Sequence, residues 1–258
     1  HCTVALGGDG ADELFGGYHH YSRLLFLKKL TQYVPLFLRQ PSSYIFYKFT
    51  KIGTKGRAWI LAMGLDLKKN LPLIGLFFDS ETIAKLLNRK KNNIAGYIFD
   101  QRIPSIRDII NRATLMDFNN YLPEDILVKV DRASMLNSLE LRSPFLSKGI
   151  IEYAFRYIPS RMKANAIQRK IILKKLTKKL LPKDFDRKRK QGFSIPLKEW
   201  LYKGEWRVFF EDILLDSSCI FNKDVIQELF DSHDAGGNNQ ERLFSLVLFE
   251  LWRREYDI

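Results

Sequence analysis

Apolar and polar positions change their period early in the chain. Residues 2–6 form a short apolar run of β type, expected to be a buried strand, and 7–17 read as a loop by glycine content. From Tyr18 onward the spacing of apolar positions is helical. It predicts helices over 18–30, 51–69 and 80–91, with Pro35 and Pro41 punctuating the stretch between the first two and Ser80 as the N-cap of the third. Further helices are predicted over 109–121, stopped by Pro123, and over 127–139, broken at Ser143-Pro144. They continue over 149–157, 166–181, 205–215, 224–233 and 240–256, the last with an almost fully apolar face. Residues 184–196 read as a basic, glycine-containing loop, and 235–239 as a turn.

One strand followed by about ten helices is an incomplete pattern, because a lone strand has nothing to pair with. The strand is expected to join a sheet supplied by sequence outside this chain. The chain then reads as the C-terminal part of an α/β domain, with residues 1–17 ending the sheet and its loop and 18–258 forming a helical remainder.

Composition narrows the class. A chain of 258 residues that is 46% hydrophobic and 28% charged can bury a core and is not disordered. Its formal charge of +13 suits anionic partners, or equally a lysine-rich surface with no such partner. With Cys2 and Cys219 alone, a disulfide framework and a cysteine-rich zinc site are excluded. No apolar run approaches the ~20 residues of a membrane span, and 243–252 is short and carries Glu250. No secretory leader pattern is present. These features point to a cytoplasmic enzyme. Cys2 invites comparison with N-terminal nucleophiles, but His1 precedes it and Thr3–Leu6 continue it as a strand, so a small buried thiol is expected.

The candidate chemistry lies in "GGDGADE" at 7–13. A strand running into Gly7, Gly8 and Gly10 lets backbone N–H groups approach an anion closely. Asp9, Asp12 and Glu13 place carboxylates beside that cradle, and carboxylates tolerate phosphates there only with a divalent cation between them. Asp12 is the best candidate ligand for Mg²⁺. A glycine- and aspartate-rich turn that merely caps the next helix is the equal alternative on spacing alone. The stretch matches neither the Walker A nor the dinucleotide pattern.

"VALGGDGADELFGGY" (4–18) resembles the S-G-D-G-x-D-E-x-F-G-G-Y nucleotide motif of asparagine synthetases. Three further stretches resemble the same family in the same order: "YLPEDILVKVDRASMLNSLELRSPFL" (121–146), "RKRKQGFSIPLKEWL" (187–201) and "RLFSLVLFELWRREY" (242–256). The resemblance implies an α/β fold of the adenine-nucleotide alpha-hydrolase type (PP-loop ATP pyrophosphatase), of which this chain holds a mostly helical C-terminal part. It also implies Mg·ATP adenylation of the aspartate side chain, followed by ammonia attack to give asparagine, AMP and pyrophosphate.

On the same resemblance, Gly7, Gly8 and Gly10 contact ATP through the backbone and Asp12 binds the Mg²⁺–pyrophosphate unit. Asp9 stands at the acidic position tied to the acyl-adenylate, and Lys190 neutralises phosphate charge. Among flanking Arg187, Lys188 and Arg189, only the following Gly192-Phe193 singles Lys190 out. Glu140 and Arg142 are expected to be a buried structural pair within 138–145. Asp125, Lys129 and Asp131 either line the substrate pocket or satisfy one another.

Gly7 replaces the family's serine, and Ser147 replaces an aspartate after Pro-Phe-Leu. No S-G-G-x-D-S loop and no glutaminase domain occur in these residues, so the chain is expected to be a fragment, half of a split enzyme or a truncated homologue, inactive toward ATP alone. A missing N-terminal glutaminase and PP-loop portion, in cis or in trans, is the partner this implies; a homodimer is left open. Three alternatives stand beside it: amidation of a sugar acid or other carboxylate, a non-catalytic scaffold, and a basic helical nucleic-acid binder. The last rests on thirteen Lys/Arg in 161–190, yet Ile171, Ile172, Leu173, Leu176 and Leu180 there have core spacing.

Overall fold

Strand β1 (Val4–Leu6) pairs in parallel with β2 (Glu140–Arg142), in the register Val4↔Glu140, Ala5↔Leu141 and Leu6↔Arg142. The computed structural model describes residues 2–72, 77–90, 107–182, 184 and 195–258. The strand thus has a partner inside the chain, contrary to the expectation of a sheet supplied only from outside. Three residues are too few for alternation to show, and a parallel partner can lie far away in sequence. The sheet is also less covered than expected: Val4 and Leu6 are 41% and 74% exposed, and Cys2 is exposed.

The described residues divide into two units. The first draws on His1–Leu36, Leu65–Leu71 and Ala95–Lys188. It holds both strands and the helices Ala11–Phe15, His19–Thr31, Ile109–Asn119, Val128–Met135, Lys148–Arg156 and Ile171–Leu180. A π-helical turn, Leu122–Leu127, joins the third of these to the fourth, with Pro123 near its start. The turn absorbs the proline without ending the helical path. Leu14, Phe15, Ala154 and Ile158 form the core, with Phe118, Phe145 and Phe155 packed on it. Residues 65–71 are tied in by buried Arg112, which donates to Leu67 O at 2.8 Å and Lys69 O at 3.0 Å.

The second unit is Phe37–Gly64, Pro72–Ile94 and Arg189–Ile258. Its core lies between Glu205–Leu214, Lys223–Asp234 and Gln240–Glu255, where Phe210, Leu214, Ile226, Leu229, Phe230 and Leu243 are fully buried. Leu243, Leu246, Val247 and Glu250 stand at i, i+3, i+4 and i+7, the spacing of one helical face. Glu250 is tolerated on that face because Arg253 and Arg254 both donate to its carboxylate.

Several element expectations shift. Leu36–Lys48 is a helix with Pro41 inside it, where the sequence predicts a break. The Ser42 hydroxyl donates to Leu38 O beside the proline. Within 51–69 only Arg57–Met63 is helical, entered through Gly56. Asp79, not Ser80, caps Ser80–Leu86, accepting from the N–H groups of Glu81 and Thr82. Residues 138–145 are half-buried to exposed, and the Glu140–Arg142 pair, at 2.8 Å, faces solvent.

Candidate functional site

In parallel sheets, ligands sit beyond the carboxyl ends of the strands, and the glycine turn leaves β1 at that end. Gly7 N–H donates to Arg142 O at 2.8 Å, extending the β1–β2 ladder into the turn. Gly10 has φ +85°, and a Cβ there would lie 2.2 Å from Leu146 Cδ2, so both backbone and space demand glycine. Gly8 is exposed and has open space where a Cβ would stand. Its backbone can therefore be approached closely.

Asp9 is half-buried and accepts from the Ser143 hydroxyl at 3.2 Å. The segment expected as loop contains one helical piece, Ala11–Phe15, with Asp12 in its first turn. The Asp12 carboxylate meets Lys170 Nζ at 3.0 Å. Gly7, Gly8, Asp9, Gly10 and Asp12 thus share one turn, whereas Lys190 lies outside the described residues.

Glu13 does not join them. It is turned inward, 1% exposed, and accepts a short hydrogen bond from the Tyr18 hydroxyl. Burial raises its pKa, with the Tyr18 bond opposing. Burial, reinforced by Glu13, pushes the Tyr18 phenol far above its ordinary range. Alongside, Asp117 accepts from Tyr21 at 2.6 Å and lies 2.8 Å from His20 Nε2. Burial, then Asp117, keeps the Tyr21 phenol protonated well beyond its usual range. Tyr121 packs edge-on against Tyr18, and burial together with Asp125 pushes its phenol up to about 12. Asp125, Lys129 and Asp131 are exposed, and among the described residues no ion pair joins them.

Lys170, Ser143 and Asp117 are contacts that reading along the chain missed. Each stands more than 90 positions from its partner, so no local spacing announces it. Among the described residues, no group of three His, Cys, Asp or Glu side chains could hold a metal ion. A single carboxylate such as Asp12 suits a hard cation of the Mg²⁺ kind when phosphate oxygens and waters complete the shell. Two hollows, of about 400 and 630 Å³, belong to the second unit, lined by residues such as Lys85 and Asn222 in one and Lys51 and Asp231 in the other. None of the candidate residues above lines either.

Residues 1–254 match the asparagine synthase family model, and the chain belongs to that family. Asparagine synthetase [glutamine-hydrolyzing] 1 of Bacillus subtilis (strain 168) is 30% identical over 260 residues, covering 98% of this chain and 40% of the relative. Relatives from Mycobacterium bovis and Mycobacterium tuberculosis, provisionally given the asparagine synthetase name, are 27% identical over 260 residues, covering 98% of the chain and 39% of their own length. The chain thus spans about 40% of the length of the curated relatives it matches. No solved structure matches it significantly. Among the described residues, no helix is long and apolar enough to cross a membrane.

Proposed function

We propose that the chain is the C-terminal part of an ATP-dependent amide ligase of the asparagine synthetase type. The observation that carries this reading is the family match over 1–254 together with a glycine turn, open to solvent at Gly8, that bears Asp9 and Asp12 at the carboxyl end of β1. In the reaction, a side-chain oxygen of aspartate attacks the α-phosphorus of ATP and pyrophosphate leaves. Ammonia derived from glutamine then attacks the acyl carbon, loses a proton and expels AMP, leaving asparagine.

Each motif residue has a part in this scheme. The backbone of Gly7, Gly8 and Gly10 approaches the nucleotide where side chains would block it. Asp12 is the residue that would hold Mg²⁺, and the ion when bound would supply positive charge against the pyrophosphate oxygens. Asp9, oriented by the Ser143 hydroxyl, faces the acyl-adenylate step as a positioning or proton-accepting carboxylate. Lys190 enters by family resemblance alone, as the fixed cation for phosphate charge.

The test is aspartate-dependent ATP–pyrophosphate exchange, run on the chain alone and on the chain joined to the N-terminal portion of the Bacillus subtilis relative. Exchange above background is expected only in the joined protein, and Asp12→Asn should lower it by about 10²-fold or more. Exchange driven by a sugar acid and not by aspartate would overturn the choice of substrate. A joined protein that folds yet exchanges with no carboxylate would overturn the reading as a whole.

A further inference from the structure

Lys170 stands out on backbone grounds before its side chain is considered. It precedes Ile171–Leu180 with φ +52° and ψ +40°, the left-handed region that a lysine rarely occupies. Glycine or asparagine would sit there with less strain, and a retained outlier needs a reason. The neighbouring contacts supply one. Lys170 N–H reaches back to Gly16 O at 3.4 Å, and its ammonium lies 3.0 Å from the Asp12 carboxylate. Both side chains are about a quarter exposed, so the pair is only partly screened by water.

Gly17 completes the arrangement. A Cβ at 17 would fall 1.7 Å from Asp12 Oδ1 and 2.4 Å from Lys170 Cε. The missing side chain is therefore the slot through which the lysine stem crosses to the carboxylate. Three separate features, namely a left-handed lysine, a glycine slot and an ion pair, converge on one carboxylate.

From this the structure assigns Lys170 the role of resident counter-ion to Asp12, a positioning residue that a divalent cation must displace to reach the carboxylate. The assignment rests on the reading of Asp12 as the metal-binding carboxylate. Its consequence is selectivity in time. A bare cation competes with a covalently tethered ammonium and loses, whereas a cation arriving with phosphate oxygens brings ligands that compensate. Asp12 is thereby kept from loading metal before nucleotide, and Lys170 holds its geometry in the interval.

The test is binding of Mn²⁺ alone, without nucleotide, to the purified chain, read from the electron paramagnetic resonance signal of free Mn²⁺. Lys170→Gly removes the charge and suits the left-handed backbone, so it should fold and melt at or above the parent temperature. It is expected to bind Mn²⁺ about tenfold more tightly than the parent. Lys170→Arg, which keeps the charge, should stay within about twofold of the parent. Adding Asp12→Asn to Lys170→Gly should abolish the gain.

A Lys170→Gly chain that folds but binds Mn²⁺ no more tightly would overturn the inference, as would a gain that survives Asp12→Asn. A merely structural lysine would loosen metal binding or leave it unchanged on removal, never tighten it. The metal titration contains no nucleotide or aspartate, so its outcome is separable from that of the exchange assay. Tightened Mn²⁺ with no exchange in the joined protein retains the counter-ion and removes the ligase. Exchange without tightening does the reverse.

Discussion

Lys163 is a fully buried lysine whose Nζ has no hydrogen-bond partner among the described residues; it lies 4.6 Å from the Phe155 ring centroid. Burial pulls its pKa down to about 8, partly opposed by Asp108. The fold thus favours the neutral amine. The stability this contributes is full above the unfolded value of 10.5 and is lost as pH falls through about 8. Lys163→Met is expected to raise stability at pH 7 by up to about 3 kcal/mol, and the difference from the parent should shrink between pH 8 and 10.5. Thermal melts across that range check it; a difference independent of pH would assign the effect to packing.

Gly7 stands where the motif of the asparagine synthetases it resembles has serine. A Cβ there would stand 2.5 Å from Leu141 Cδ2 and 2.7 Å from Asp9 Oδ2. The large side chain at 141 has taken the space a serine would fill. Gly7→Ser alone should cost about 1–3 kcal/mol, and Leu141→Val should return part of that loss when the two are combined. Additive denaturation midpoints for the single and double variants would disprove the coupling.

Helix termini explain much of the second unit. Asp79 caps Ser80–Leu86 and also meets Arg57 at 3.0 Å, tying that helix to Arg57–Met63. Burial pulls its pKa up, but the nearby Tyr47 hydroxyl, the hydrogen bonds from Thr82 and the Arg57 charge outweigh it and hold the carboxyl below 3.8. Its stabilisation is present above pH 3.8 and is lost as pH falls through the lowered value. Asp79→Ala removes cap and ion pair together and is expected to cost about 2–4 kcal/mol near neutral pH, visible as a lowered urea midpoint. Asp79→Asn keeps the cap acceptor and should cost less.

Helix existence was legible because apolar faces such as Val225, Ile226, Leu229 and Phe230 repeat at 3.6-residue spacing. Ends were less so. Pro41 failed as a breaker because it removes a single N–H from a helix that continues on both sides of it, and Ser80 yielded to Asp79 because a carboxylate can cap while serving a second partner. β2 was invisible for a different reason: Glu140, Leu141 and Arg142 have no strand pattern of their own, and pairing with β1 alone makes them a strand.

Over the whole chain, the charge of +13 is the property most open to misreading. Lys174, Lys175, Lys178 and Lys179 lie along Ile171–Leu180, whose Ile171, Ile172 and Leu173 pack inward. A solvated lysine face of this kind binds polyanions weakly and without sequence preference. The chain's retention of tRNA is expected to fall by roughly 10³-fold or more between 50 and 200 mM salt if several phosphates are contacted. Binding that persisted at the higher salt with a defined RNA site would return the nucleic-acid reading to contention.

Local order carries most of what the linear chain specifies here: the helices, through the recurrence of Leu, Ile and Phe, and the identity of the acidic glycine turn at 7–13, through residue type. Those features depend on neighbours within a few positions, where backbone geometry and side-chain volume act directly. Tertiary structure alone decided that Glu13 turns inward while Asp12 turns to Lys170, that Asp9 meets Ser143, and that β1 finds β2. The physical reason is the same in each case. A carboxylate's partner is set by which donor the folded chain brings within about 3 Å, and contacts between residues so far apart in sequence leave no periodic trace.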